Sequence, residues 1–203
     1  SSRARGAAEF AVVAEQERSA AVTAATRLRA AGYPVEVVSV GSTPTALYAE
    51  HLDGVTEVRA GVYMFGDLFQ AAIGSCTQEQ IAITVLATVI GHRQDDGLLL
   101  LDAGALALSK DRGTADTAAD AGVGLVWDVD GRASYGAARV ERVYQEHGLA
   151  VSGHGWQWEA LPIGARVRLA QNRDCFTAEA HDRYQVVDGG IDIVAEWDRC
   201  KGW

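Results

Sequence analysis

Lysine is nearly absent from this sequence, and positive charge as a whole is scarce. Lys110 and Lys201 are its two lysines, and 18 Lys and Arg residues stand against 27 Asp and Glu residues, which gives a formal net charge of −9. Nucleic-acid binding needs clustered Lys and Arg to meet the phosphates. The charge balance therefore argues against a nucleic-acid partner.

Cysteines and membrane-length apolar runs are also few. An odd number of widely spaced cysteines (Cys76, Cys175 and Cys200) predicts no disulfide framework and favours a reducing compartment, so we expect a cytoplasmic protein. The run IAITVLATVI is about half of the ~20 residues that a membrane span needs, and no secretory leader is recognisable. We expect no membrane partner.

The first part of the chain has an alternating α/β pattern. Its 48% of apolar residues suffice for a core. An Ala-rich segment with early Glu and late Arg, ended by Gly32, predicts a helix, and two short strands and a second helix follow. This order is typical of an α/β unit with parallel strands, which we assign to residues 1–76.

The second part, residues 77–203, has a different character. Short β-rich runs such as GVGLVWDV, ARVRLA and IDIVAEW are separated by Gly, Asp and Asn. Such spacing predicts an antiparallel sandwich or barrel. We therefore expect an α/β part followed by an all-β part, with a boundary near Cys76.

Two loops are candidates for binding phosphate. SVGSTPT (Ser39–Thr45) and RAGVY (Arg59–Tyr63) each follow a predicted strand, where hydroxyls and exposed backbone N–H groups can meet an anion. Alone, each loop is typical of a simple turn. Because the loops end consecutive strands, a phosphate site becomes an equally good interpretation.

Cys175 lies in a stretch, RVRLAQNRDCFTAEAH, that predicts a strand running into a loop. The residues alone leave three interpretations open: a metal ligand, a nucleophile, or a buried thiol with no role. His181 is expected at the surface. Zinc-hydrolase, redox and serine-hydrolase motifs (HExxH, CxxC and GxSxG) do not occur in the sequence.

Taken in order, the motifs resemble one family over almost the whole chain, from about Glu9 to Trp203. The chain resembles the C-terminal half of the D-serine dehydratase/D-threonine aldolase family, pyridoxal-phosphate enzymes of the alanine racemase fold type. The motifs that carry the resemblance are SVGSTPT, EVRAGVYMFGD, IAITVLATVI, LLLDAGALALSKDRG, QEHG, LPIGARVRL, VVDGG and WDRCKGW.

The resemblance implies a fold, a cofactor site and partners. It implies the last strands and helices of an α/β (TIM-type) barrel followed by a C-terminal β-rich domain, in a homodimer that acts on a small D-amino acid. The cofactor phosphate is then expected on Gly41, Ser42, Thr43, Gly61 and Val62, with Tyr63 close to the cofactor ring.

The family's Schiff-base lysine marks a first departure, since the resemblance places it on the first barrel strand, far upstream of these residues. Neither Lys110 nor Lys201 matches its position. A partial barrel would also leave unpaired strand edges. We therefore expect the N-terminal half to exist, either in cis or as a cleaved chain.

The family's metal motif marks a second departure. The family has Pro-Asn-His-x-Cys, whose His and Cys hold a divalent metal (zinc, manganese or magnesium), and two such residues on an extended segment can face one ion. Here Cys175 is kept, but Arg173 occupies the His position and cannot ligate. Asp174 is expected to face away. We expect Cys175 to hold no metal or to hold one weakly, and Arg173 to bind substrate.

Two hypotheses from different classes follow. The first is a pyridoxal-phosphate-dependent lyase that acts on D-amino acids with a β-hydroxyl, by dehydration or by aldol cleavage. The second is a non-catalytic or metal-free relative with a binding, assembly or racemase-like role, which the Arg in the metal motif and the missing lysine favour.

Overall fold

The computed structural model describes residues 6–200 of the chain and divides into two compact units. The first unit holds the described residues up to Gly66 together with Gln70–Gln80. The second holds Asp67–Phe69 together with the described residues from Ile81 onward. The domains assigned from the sequence, 1–76 and 77–203, stay a prediction.

Helices and strands alternate at first, and strands dominate later. The helices are α1 (Gly6–Ala30), α2 (Thr43–Tyr48), α3 (Leu68–Ile73), α4 (Ala105–Leu108) and α5 (Asp174–Ala180). The strands are β1 (Ser39–Val40), β2 (Glu57–Val58), β3 (Val85–Arg93), β4 (Leu98–Leu101), β5 (Gly124–Trp127), β6 (Arg139–Val143), β7 (Gly148–Val151), β8 (Arg166–Gln171), β9 (Arg183–Val187) and β10 (Ile193–Asp198).

Helix α1 is the longest element of the first unit. Glu9 lies in its first turn, and Arg27 and Arg29 lie in its last. This charge order interacts favourably with the helix dipole and stabilises the helix. Its Phe10 is fully buried, and the Phe10 ring stacks on the ring of Tyr48 in α2 with centroids 5.5 Å apart. This contact fixes α2 against α1.

Strands β1 and β2 form a short parallel pair in the same unit. Ser39 pairs with Glu57 and Val40 with Val58. The parallel arrangement agrees with the α/β pattern predicted for this part of the chain. Because the two strands are parallel and in register, the segments that follow them start at the same edge of the pair.

The second unit is built on a closed antiparallel barrel of six strands. Its order is β3-β4-β7-β6-β5-β8, and β8 pairs with β3 to close it. The barrel confirms the antiparallel architecture predicted from the short, turn-bounded runs. Strands β9 and β10 form a separate antiparallel hairpin.

The barrel interior is filled by aliphatic side chains from alternate strand positions. Along β3, Val85, Ala87 and Val89 are buried, whereas Leu86 and Ile90 are exposed, as expected for a two-residue period. The largest fully buried aliphatic side chains of the barrel are Val89, Leu99, Leu101, Val126, Val140, Val167 and Leu169. Each strand thus contributes one face to a single core.

Membrane spanning is not indicated by the helices. Between Gly6 and Cys200, no helix combines the length and the hydrophobicity that crossing a bilayer requires.

Candidate functional site

The two predicted phosphate loops lie side by side in the first unit. We call the segments Gly41–Thr43 and Gly61–Tyr63 the phosphate loops. Gly41 follows β1 with a φ of 146°, and a Cβ atom there would lie 2.1 Å from the carbonyl oxygen of Arg59, just after β2. Glycine is therefore required at position 41 for the close approach of these two backbone segments. The backbone that leads into the second segment therefore lies against the start of the first.

Ser42 is the N-cap residue of helix α2, and its backbone N–H already has a partner. Ser42 and Thr45 form a capping box in which the Ser42 N–H donates to Thr45 Oγ1 at 3.1 Å. The Gly41 N–H donates to Glu17 Oε1 at 3.0 Å. The expectation of exposed N–H groups after β1 is thus wrong for these two residues, because a helix cap and a carboxylate from α1 take them up.

Thr43 has a side-chain hydroxyl without a hydrogen-bond partner in the described part of this unit. The side chain is buried, and its Oγ1 has no hydrogen-bond partner among residues 6–200. A buried hydroxyl without a partner costs free energy, so it marks a place where an added acceptor would be stabilising. On the facing loop, a Cβ at Gly61 would meet no atom within 4 Å, and 67% of Tyr63 is exposed.

Cys175 lies in the second unit, where its local structure differs from the prediction. The stretch runs from β8 into helix α5, and Cys175 is the second residue of that helix rather than part of a loop. Arg173 precedes the helix with an extended backbone. Residues 173–175 are therefore not one extended segment, and the predicted two-residue alternation of side chains does not apply.

Arg173 is held on two sides by neighbours within the second unit. Its Nε lies 3.3 Å from Oδ2 of Asp111, and its guanidinium carbon lies 3.8 Å from the centroid of the Phe69 ring. An ion pair and a cation–π contact thus fix one edge and one face of the guanidinium. About 30% of the side chain stays exposed.

Asp174 faces the interior, where it meets a second carboxyl. Asp174 and Asp67 are both buried, and the Asp174 N–H donates to Asp67 Oδ2 at 3.3 Å. Burial, and then the nearby Asp67 charge, raises the pKa of Asp174 to about 7. Asp174 Oδ1 has no hydrogen-bond partner among residues 6–200.

The donor set around Cys175 does not fit a divalent metal. Partial burial around the sulfur, and then the charge of Asp174, raises the pKa of the Cys175 thiol, although the residue as a whole is exposed. Metals bind the thiolate, which a raised pKa disfavours. Within residues 6–200, no three His, Cys, Asp or Glu side chains gather as ligands, and Arg173 cannot ligate.

Other predictions have mixed outcomes. The three cysteines form no disulfide among residues 6–200. His181 is half-buried rather than on the surface, because its Nε2 donates to the carbonyl of Ala107 at 3.2 Å. Sequence reasoning missed Glu17 and Asp111, whose partners lie far away along the chain, and no spacing signal could have found them.

A family model matches residues 82–187, which is half of the chain. It is described as "Putative serine dehydratase domain". The chain belongs to this serine dehydratase domain family.

Two curated relatives are similar along most of the chain. D-threo-3-hydroxyaspartate dehydratase of Delftia sp. (strain HT23) is 47% identical over 197 residues, which cover 94% of this chain and 51% of the relative. D-serine dehydratase of Dictyostelium discoideum is 30% identical over 185 residues, which cover 87% of this chain and 46% of the relative. The chain thus spans about half the length of the curated relatives it matches.

Solved structures share the fold of the whole chain. The Delftia dehydratase has a TM-score of 0.89 at 45% identity, and this chain covers 54% of it. A cysteine-to-alanine variant of that enzyme, described as metal-free, has the same TM-score at 44% identity. An alanine racemase-like protein of Idiomarina loihiensis has a TM-score of 0.90 at 38% identity, with 54% of it covered. Each match covers 100% of this chain, which therefore has an alanine racemase-like fold.

Proposed function

We propose that the chain is part of a pyridoxal-phosphate-dependent lyase that acts on D-amino acids with a β-hydroxyl. The observation that carries the proposal is the buried hydroxyl of Thr43, which has no partner among residues 6–200 and lies where two parallel strands end. The names of the relatives point the same way, because the Delftia and Dictyostelium proteins are both dehydratases. Those names favour dehydration over aldol cleavage.

The phosphate loops are the part of the chain that would hold the cofactor. Thr43 Oγ1 would donate to the phosphate, and the uncrowded backbone at Gly61 would let Val62 and the rest of its loop approach closely. Gly41 and Ser42 shape the first loop, since the one permits the close approach to Arg59 and the other caps α2. Tyr63 would border the ring. When bound, pyridoxal phosphate supplies an electron sink for the reaction.

Arg173 would bind the substrate, and no metal is required in this proposal. The guanidinium is a permanent cation, whereas the surroundings of Cys175 disfavour a thiolate. The spacing of two residues between Arg173 and Cys175 equals that between the histidine and the cysteine replaced in two variants of the Delftia enzyme, one of them described as metal-free. We therefore propose that Arg173 replaces a ligand and that Cys175 is left without a metal.

The proposal extends to the architecture of the working enzyme. Residues 1–76 would complete an α/β barrel of TIM type, and residues 77–203 would form its β-rich domain. The Schiff-base lysine is assigned to a segment outside these 203 residues, in cis or on a second chain. We further propose a homodimer in the cytoplasm.

A non-catalytic or metal-free relative with a binding, assembly or racemase-like role is the second candidate, and its non-catalytic form differs most from the lyase. The Arg at position 173 favours it, and so does the Glu17 carboxylate that occupies the Gly41 N–H on the first phosphate loop. A negative charge beside a phosphate opposes binding. Loss of cofactor binding would be compatible with the same fold.

Cofactor spectra of the full-length polypeptide that carries these residues distinguish the two candidates. Purified protein should show the visible absorbance of bound pyridoxal phosphate or gain it on titration. Pyridoxal, which lacks the phosphate, is the matched control and should bind far more weakly. Protein that stays colourless with added pyridoxal phosphate would rule out the enzyme and leave the binding role.

A further inference from the structure

The segment from Ser109 to Thr114 is shaped around Arg173. The Asp111 carboxylate lies on the Nε edge of the guanidinium at 3.3 Å. A Cβ atom at Gly113 would lie 2.9 Å from the same Nε, so glycine at this position leaves room for the side chain. Two residues of one short segment thus limit where the guanidinium can lie.

Asn172 ties this segment to the residue before Arg173. Its Nδ2 donates to the Asp111 carbonyl at 3.1 Å, and its Oδ1 accepts from Thr114 Oγ1 at 2.8 Å. Asn172 is 1% exposed, so these bonds are shielded from water. Asp111 is therefore anchored independently of its ion pair with Arg173.

The backbone at the start of the segment is strained. Ser109 has a φ of 74°, the one positive φ of a non-glycine residue among residues 6–200. Its Oγ accepts from the Asp111 N–H at 3.1 Å. Such a conformation persists only where the surrounding structure holds it in place. The left-handed backbone at Ser109 thus lies next to a hydrogen bond that holds Asp111, the partner of Arg173.

The outer end of the guanidinium is left for a ligand. Asp111 pairs with Nε and Phe69 covers one face, but neither Nη1 nor Nη2 of Arg173 donates a hydrogen bond among residues 6–200. The nearby Asp174 carboxyl interacts with the guanidinium charge without a hydrogen bond to it. Two parallel N–H donors on a planar group match the two oxygens of a carboxylate. A side chain held at its inner edge loses less rotamer freedom when it binds such a ligand.

We propose that Asp111 is a positioning residue that orients Arg173 as a carboxylate-binding group. The ligand class is an acidic D-amino acid, whose side-chain carboxylate would meet Nη1 and Nη2. This inference rests on the proposed function for its substrate, whereas the carboxylate site itself does not depend on a bound cofactor. Phe69 and Gly113 limit the remaining freedom of the guanidinium.

Because Asp111 is negatively charged, the two possible roles of this residue predict opposite changes in anion binding when it is replaced by asparagine. If Asp111 only neutralised Arg173, its replacement by asparagine would strengthen the binding of an anion. If Asp111 positions Arg173, the same replacement frees the guanidinium and weakens binding. Malonate, a dicarboxylate, is the probe, and acetate is the monocarboxylate reference.

Calorimetric titration of full-length protein with malonate should give three results. Arg173→Gln should weaken binding about tenfold, because the ligand loses its charged hydrogen bonds. Asp111→Asn should weaken it about fivefold, because the guanidinium is no longer held in place. Asp111→Glu should recover most of the loss. Acetate should bind more weakly than malonate and respond less to each variant.

Gly113→Ala provides a second route to the same result. The added methyl group would displace the guanidinium and not the backbone, so folding should be retained while malonate binding weakens. Gly153→Ala, where a Cβ would meet no atom within 4 Å, is the matched control and should bind as the wild type does. Thermal melting checks that every variant folds.

Three outcomes would overturn the inference: unchanged or tighter malonate binding in Asp111→Asn, no recovery in Asp111→Glu, or no binding by the wild type. The kinetic arm compares an acidic with a neutral β-hydroxy D-amino acid. Asp111→Asn should raise KM for the acidic substrate selectively and leave kcat nearly unchanged. Absence of the cofactor spectrum contradicts the proposed function, and the malonate titration then still decides the role of Asp111.

Discussion

The backbone N–H of Asp174 donates to Oδ2 of Asp67 across 3.3 Å, and neither side chain is more than 2% exposed. Two carboxyls held this way in a protein interior resist simultaneous ionisation. Burial, followed by the Asp67 charge, accordingly raises the pKa of Asp174 to about 7 from 3.8. The folded protein therefore keeps the Asp174 carboxyl, between Arg173 and Cys175, protonated up to nearly neutral pH.

Stability should fall as the pH rises through the range set by these two values. The folded state holds the Asp174 proton up to about pH 7, and the unfolded chain releases it near pH 3.8. The contribution of Asp174 to the free energy of unfolding is complete below pH 3.8. It is lost as the pH rises towards about 7, by up to about 1.4 kcal/mol per pH unit. Asp174→Asn should flatten this dependence.

Unfolding curves at about pH 5 and about pH 8 measure the effect. The stability difference between the two pH values should be smaller in Asp174→Asn than in the wild type. Asp116→Asn, at an exposed position, is the control and should keep the wild-type difference. Identical differences in all three proteins would show that Asp174 titrates normally in the folded state.

Thr43→Val should separate stability from cofactor binding. The valine removes a buried hydroxyl that has no partner among residues 6–200, so the protein without cofactor should be as stable or slightly more stable. Affinity for pyridoxal phosphate should fall about tenfold, because a charged acceptor loses its donor. Thermal melting and absorbance titration measure the two quantities.

Thr45→Val is the matched control for Thr43. Its hydroxyl accepts from the Ser42 N–H in the capping box, so its loss should destabilise the protein by about 1 kcal/mol. If the two valines destabilised equally, the Thr43 hydroxyl would have a partner in the protein and would not indicate a phosphate site.

Glu17→Gln should strengthen the binding of pyridoxal phosphate. The amide oxygen of glutamine can still accept from the Gly41 N–H, but the negative charge beside the proposed phosphate is removed. A change of about 1 kcal/mol, or about fivefold in affinity, is expected for such a charge near the surface. Glu9→Gln, elsewhere on α1, is the control, and an unchanged affinity in Glu17→Gln would place the phosphate away from Gly41.

Asn172 and Gln171 are adjacent, buried and predicted to respond in opposite ways to leucine. Asn172 makes side-chain bonds to Thr114, Asp111 and Gly122, and Asn172→Leu should cost about 3 kcal/mol. Neither side-chain polar atom of Gln171 has a partner among residues 6–200, so Gln171→Leu should be neutral or stabilising. Denaturant unfolding compares the two, and an equal loss would contradict the hydrogen-bond assignment.

The sequence was most informative where the pattern is local. The short, turn-bounded runs after residue 77 predicted an antiparallel β structure, and the observed barrel agrees. The two loops after consecutive predicted strands made a phosphate site as good an interpretation as two simple turns. The parallel pairing of β1 and β2 agrees with the strand order, and the phosphate site stays a prediction.

Long-range contacts could not be predicted in the same way. The pairing of Arg173 with Asp111, and of the Gly41 N–H with Glu17, depends on how separate elements pack. The helix at Cys175 was missed because Arg173 and Asp174 lack the usual capping pattern, and the buried Asp67 carboxyl that accepts from the Asp174 N–H lies far away in the sequence.

The product formed from D-serine and from 3-hydroxy-D-aspartate tests the central claim most directly. The full-length protein with pyridoxal phosphate should release ammonia and a keto acid in equal amounts, pyruvate from the first substrate and oxaloacetate from the second. Glycine with an aldehyde would indicate aldol cleavage instead of dehydration. If protein with bound cofactor released neither pair of products from either substrate, the account of the chain as part of a lyase would be contradicted.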